Sequence, residues 1–219
     1  MNSKVKLATI IVILVLLAVG LFFVPPINSS IKHSTSTLYR IRGDAALSKG
    51  SYEQAIKFYY QGLRFVPENA RIYTRLSLVY QKQEKYDEAI QSATKAIELD
   101  SQLPQAYLNL ATSFQAVGRY NDALEMSARS LETDPSFFQG YLTLGLIYEE
   151  TGNYDEAVEV YLLALGKNPR FHMARYRLAL CYLKLDENKL ALRQYEILKS
   201  TIASLARRLA SDLTKQLNQ

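Results

Sequence analysis

The sequence predicts an all-α chain of five stacked helical hairpins, preceded by one apolar span and closed by one amphipathic helix. Three observations carry this. A motif recurs at a constant spacing: GSYEQAIKFYYQGLRFVP begins at residue 50, EKYDEAIQSATKAIELDS at 84, GRYNDALEMSARSLETDP at 118, GNYDEAVEVYLLALGKNP at 152 and DENKLALRQYEILKSTIA at 186. Successive starts lie 34 residues apart with no insertion. Each unit holds two apolar segments of helical period, of about a dozen residues, broken near Gly-x-Tyr and again near a proline. Finally, 48% hydrophobic and 21% charged residues in a chain of 219 is a globular composition, with length enough to bury a core.

The first element is the stretch from Leu7 to Val24, which carries no charge, follows Lys4 and Lys6, and stops at Pro25 and Pro26. A helix of that length reaches about 27 Å, near the roughly 30 Å thickness of the hydrocarbon layer. Residues 1–24 are therefore expected to form a transmembrane signal anchor. A cleaved signal peptide is the alternative, and the apolar residues that continue beyond Gly20 argue against it. The lysines before the span place the N terminus in the cytosol and make this a single-pass membrane protein with a periplasmic or otherwise extracytoplasmic repeat domain. Residues 25–35, rich in Ser and Thr over their second half, are expected to be a polar linker.

The hairpins follow as residues 36–69, 70–103, 104–137, 138–171 and 172–205. Ala55, Ala89, Ala123, Ala157 and Ala191 share one register position; Tyr52, Tyr86, Tyr120 and Tyr154 share another, where the fifth unit has Asn188. Gly43, Ser77, Ala111, Gly145 and Ala179 are all small at a third, and Leu63, Ile97, Leu131 and Leu165 hold a fourth, from which Lys199 departs. Small residues let the first helix of a unit, A, approach the second, B, while the tyrosines fill the space between successive pairs. Pro67, Pro135 and Pro169 close helix B, since proline cannot extend a helix from within. Residues 206–219 are expected to form a C-terminal capping helix, because Leu198, Ile202, Leu205, Leu209, Leu213 and Leu217 recur every three or four residues. The same ridge is open to two other readings: a helix docking on a partner or an anionic membrane surface, and a seam between two copies that would make a homo-oligomer.

These positions resemble the tetratricopeptide repeat (TPR) family. The fourth unit carries the family's pattern throughout, as Tyr141, Leu144, Gly145, Tyr148, Ala157, Tyr161, Ala164 and Pro169. The first unit departs at Arg42 and Ala46 and the fifth at Arg175, Leu198 and Ala203, as terminal repeats do. The resemblance implies a right-handed superhelical solenoid of five TPR hairpins whose concave face, lined by the A helices, binds protein partners as extended peptides or helices.

Carried over residue by residue, the groove comprises Arg40 and Asp44; Arg71, Thr74, Arg75, Leu78 and Lys82; Gln105, Leu108, Asn109 and Thr112; Gln139, Leu142, Leu146, Glu149 and Glu150; and Tyr176, Arg177 and Leu180. Its first half is cationic and amide-rich, and leucines and then acids take over. It predicts a partner segment with carboxylates near the first two units, its backbone met by Gln105 and Asn109 and its apolar side chains by Leu78, Leu142 and Leu146. Members of this family that clamp the C-terminal carboxylate of heat-shock chaperones use Lys, Asn, Asn, Lys and Arg where this chain has Arg40, Asp44, Arg75, Gln105 and Asn109. Asp44 would repel a carboxylate, so a chaperone tail is disfavoured.

Chemistry has little to work with. The two histidines, His33 and His172, form no metal-binding pair, the single Cys181 reads as a core residue, and no glycine-rich phosphate loop occurs. The clustered acids Asp155 and Glu156 recur in the other units as Glu53, Asp87, Glu88 and Asp122, at the first turn of helix B where the helix dipole favours them. The chain is thus expected to be no enzyme and to hold no cofactor or metal. A net charge of +5 without a basic stripe speaks against nucleic acid. The expected function is a membrane-tethered scaffold or adaptor for assembly of an envelope complex. A cytosol-facing receptor on an organelle or inner membrane with the same groove, and a regulatory subunit of an enzyme, are the alternatives.

Overall fold

The computed structural model describes residues 28–217, which are helical throughout except at turns and connectors. Five hairpins pair α1 (Ser29–Ser48) with α2 (Tyr52–Phe65), α3 (Ala70–Lys82) with α4 (Tyr86–Leu99), α5 (Pro104–Ala116) with α6 (Tyr120–Thr133), α7 (Phe138–Glu150) with α8 (Tyr154–Lys167), and α9 (His172–Lys184) with α10 (Asn188–Thr201). A last helix, α11 (Ala203–Leu217), follows.

Two expectations need correction at the N-terminal end. Residues 29–35, expected as linker, form the first turns of α1, which runs for 20 residues against 13 in α3. No Gly or Pro interrupts this stretch, and Asn28 caps it by accepting the Ser30 N–H at 3.1 Å. The expected span, residues 1–24, lies outside the described residues. Among the described residues no helix is long and apolar enough to cross a membrane. The single-pass localisation with an extracytoplasmic repeat domain therefore has no support in the structure, and it is not carried further.

Each A helix ends in the same way. Gly50, Glu84, Gly118, Gly152 and Asp186 follow the five A helices at the same register position, and all have positive φ, between 59° and 79°. One residue later the backbone N–H bonds back into the last helical turn, as Lys85 N to Tyr80 O at 2.9 Å and Asn153 N to Tyr148 O at 2.8 Å. This left-handed closure reverses the chain in a few residues and suits glycine, which has no Cβ to clash.

Within a hairpin, the size of one residue on helix A matches one on helix B. A Cβ on Gly43 would lie 2.3 Å from the Tyr59 ring, and one on Gly145 would lie 2.4 Å from the Tyr161 ring. Both tyrosines are fully buried. Where the facing residue is Ala93 or Ser127, the A helix carries Ser77 or Ala111 instead. In the fifth hairpin Ala179 faces Tyr195, and that ring is only half-buried.

Between hairpins, each B helix touches the next A helix, successive A helices touch one another, and among the described residues the backbones of no two B helices approach one another closely. The stack is closer-packed on its A side, so it curves toward the A helices and makes their outer surface a groove. The capping helix begins at Ala203, three residues before the expected boundary, because Ile202 takes an extended conformation (φ −141°, ψ 95°). Ala206, Leu209 and Leu213 sink into the core cluster that holds Leu198 and Ala191, a burial worth about 1.5–3 kcal/mol for each leucine. With Leu198, Leu209 and Leu213 covered by their own chain, the alternative of a seam between two copies gains no support from the structure.

Two stability outcomes follow from this packing. Gly145→Ala should destabilise by about 1–3 kcal/mol in urea unfolding, since Tyr161 has no free space to move into; an unchanged midpoint would refute the size match. Glu84→Gly should stabilise by about 0.5–1 kcal/mol, the left-handed strain relieved exceeding the added freedom of the unfolded chain.

Candidate partner-binding groove

At the N-terminal end, Arg40, Arg71, Thr74, Arg75, Leu103, Pro104 and Gln105 line one cleft of about 340 Å³. Five of these are residues that the sequence predicts for the groove, brought together by three adjacent A helices. Leu103 and Pro104 are not among the predicted residues. Proline at the start of α5 was the available signal, since it fixes where the connector enters the groove. Asp44 stands beside the cleft and is fully engaged. Its Oδ2 accepts from Arg40 Nη1 at 2.8 Å, and its Oδ1 accepts from Tyr59 Oη at 2.8 Å and forms an ion pair with Arg75 Nε at 3.2 Å. Burial, and next the bond to Asp44, push the Tyr59 phenol well above its ordinary value. Arg71 is exposed and belongs to none of the ion pairs among the described residues.

In the middle of the groove the sequence expectation fails for Asn109. It is 2% exposed. Its Nδ2 donates to Thr74 O at 2.9 Å and Ser77 Oγ at 2.7 Å, and its Oδ1 accepts from Gln105 Nε2 at 2.7 Å. Rather than meeting a partner's backbone, the amide joins α3 to α5, because a short side chain beside Ser77 satisfies itself inward. Gln81 extends the seam by donating to Ser113 Oγ at 2.8 Å. Thr74 and Leu108 are likewise buried, the Thr74 hydroxyl donating to Ala70 O at 3.0 Å. Leu78 is half-buried, and Lys82, Thr112 and Gln139 are exposed.

Toward the C-terminal end, Leu142 and Leu146 are half-buried and lead to a second cleft of about 420 Å³. Glu149, Tyr154, Arg177, Leu180, Leu183, Lys184 and Asp212 line it. Glu149 accepts from Tyr161 Oη at 2.6 Å and from Arg177 Nη1 at 3.4 Å. Burial nevertheless dominates and raises its pKa. Glu150 is exposed and accepts from Gln115 Nε2 at 2.6 Å. Tyr176, expected in the groove, is buried instead: its hydroxyl donates to Asp212 at 3.4 Å, and the Arg208 guanidinium lies 5.3 Å from its ring centre. It belongs to the contact between α9 and α11. Cys181 is a buried thiol, pushed up to about 12 chiefly by burial. Among the described residues, no three His, Cys, Asp or Glu side chains converge as metal ligands.

Comparison with known proteins fits this architecture. Residues 43–84 match a family profile described as TPR repeat, residues 70–103 one described as tetratricopeptide repeat, and residues 92–198 the C-terminal ARM domain of tetratricopeptide repeat protein 21. No curated protein matches the sequence. Among solved structures, the MamA protein is 26% identical over 77% of this chain and 96% of its own, with a TM-score of 0.63. Pseudomonas aeruginosa pilF is 20% identical over 85% of this chain and 91% of its own, with a TM-score of 0.72. The first TPR domain of Spaghetti (RPAP3), bound to the HSP90 peptide SRMEEVD, is 22% identical over 55% of this chain and 95% of its own, with a TM-score of 0.52.

The Glu149 environment sets a pH dependence. A carboxyl whose folded-state pKa is raised favours the protonated form on folding, so its contribution is complete below the unfolded value, 4.5, and is lost as pH rises through the folded value. Wild type should therefore lose stability relative to Glu149→Gln as the pH is taken from about 4.5 toward neutrality. Urea unfolding of both proteins across that range checks this, and a constant difference between them would refute it.

Proposed function

We propose, for a chain whose repeats are those of the tetratricopeptide repeat family, that it is a binding module rather than an enzyme, and that its groove takes an acidic segment of a protein partner. The observation that carries this reading is the cleft where Arg40, Arg71 and Arg75 converge with Asp44 as the one acid beside them. Guanidinium groups suit carboxylates by their paired N–H geometry. The apolar wall of Leu103 and Pro104 gives a neighbouring aliphatic side chain a place to pack.

The peptide on the RPAP3 domain, SRMEEVD, is itself acidic. This supports the class of ligand by analogy and not its identity, since the clamp residues of chaperone-tail binders are mostly replaced here. Farther along, half-buried Leu78, Leu142 and Leu146 supply apolar contacts for the same segment.

Arg71 is the residue on which to test the reading. It is free of internal ion pairs, whereas reversing Arg75 would also disturb Asp44. On an array of acidic, basic and neutral peptides, the chain should retain the acidic ones, and Arg71→Glu should weaken that binding by roughly tenfold or more. Equal retention by the variant would sink the proposal.

A further inference from the structure

We infer that Asp44 is the specificity-determining residue of the cationic cleft, an internal carboxylate that already holds the seat between Arg40 and Arg75. A partner then gains those two guanidinium groups only by presenting at least two closely spaced acids, one at Arg71 and one that takes over from Asp44. The inference rests on the reading of the cleft as an acid-binding site.

The geometry supports it in three ways. Asp44 is held from three helices, by Arg40 on α1, Tyr59 on α2 and Arg75 on α3. One of these donors comes from the core, because the fully buried Tyr59 ring rests against Gly43 and delivers its hydroxyl to a fixed point. Of the three arginines only Arg71 has no ion pair to Asp44, so a lone carboxylate that does not displace Asp44 gains an unshared ion pair at Arg71 alone, which is worth little in water.

The same device occurs a second time. Tyr161, Arg177 and Gly145 occupy the register positions of Tyr59, Arg75 and Gly43 three repeats on, and Tyr161 and Arg177 again hold a groove carboxylate, Glu149. Glu149 lies three residues beyond the position equivalent to Asp44, about one helical turn, so it meets the same hydroxyl from the next turn of its helix. The second and third repeats have Ala93 and Ser127 in place of the tyrosine, and their groove residues Leu78, Lys82, Asn109 and Thr112 include no acid. In the first and fourth repeats an acid thus accompanies a fully buried tyrosine hydroxyl as internal partner of a groove arginine, whereas the fifth repeat, with the half-buried Tyr195, has Leu180 and Leu183 at the positions of Asp44 and Glu149.

Fluorescence anisotropy with the full chain and two labelled peptides tests this: hexaglutamate, and a hexamer of five glutamines and one glutamate. Wild type should bind hexaglutamate at least tenfold more tightly than the single-acid peptide. Asp44→Asn should tighten the single-acid peptide by about tenfold and narrow that ratio, and Tyr59→Phe, which removes one of three holds on Asp44, should shift it less in the same direction. If Asp44→Asn does not fold, Tyr59→Phe alone decides by the direction of its shift. Arg71-dependent hexaglutamate binding, with a ratio left unchanged or widened by these variants, overturns the inference and leaves the acid-binding reading standing. Failure of wild type and Asp44→Asn to bind either peptide overturns both.

Discussion

The structure depends on how near helix A can lie to helix B, and that distance is set where a side chain is missing. Gly43 and Gly145 give up a Cβ so that the Tyr59 and Tyr161 rings lie flush against the backbone of the facing helix. The hydroxyls then reach past the helix to its groove side, where they bond Asp44 and Glu149. Core packing and groove electrostatics are therefore one arrangement. Enlarging the small residue moves the ring, and moving the ring releases the carboxylate that holds the arginines.

Between these two sites the groove floor is built differently. With Ala93 and Ser127 in place of tyrosine, the second and third hairpins cannot send a hydroxyl through, and Asn109, Gln105, Thr74, Ser77, Gln81 and Ser113 tie α3 to α5 with hydrogen bonds. Buried polar groups of this kind are costly unless all are satisfied, and both amide protons of Asn109 are used. The groove floor thus changes along its length: at its ends tyrosine hydroxyls hold acids against arginines, and at its centre buried amide and hydroxyl groups join one helix to the next.

The hairpins were legible in the sequence because a 34-residue period repeats both the turn chemistry and the small-to-large match, so each copy corroborates the others. What the period does not encode was harder to read. Asn109 and Arg75 stand at the same register position, yet the long guanidinium reaches the groove while the short amide falls back onto Ser77; the neighbouring Ser77 and Ser113 were the only hint. The pairing of Asp44 with Tyr59 crosses from one helix to another and is invisible to a reading that assigns each groove residue to its own helix. The helical start of α1 is hidden behind a polar composition that suggests a linker, although SSIKHSTS contains no helix breaker. Tyr176 stands at a groove register position but is covered by the docking of α11, which depends on where the chain turns at Ile202.

The wide backbone spacing of successive B helices, among the described residues, has a mechanical consequence. A packed row resists both stretching and compression, whereas a row of separated rods resists neither until the rods meet. Successive A helices touch directly, whereas each B helix is joined to the next hairpin only through its A helix. Curvature can change by fanning the B helices, at the cost of small adjustments where each touches the next A helix and without breaking a backbone hydrogen bond. Fanning of that kind would widen or narrow the inner surface while the A helices kept their contacts with one another.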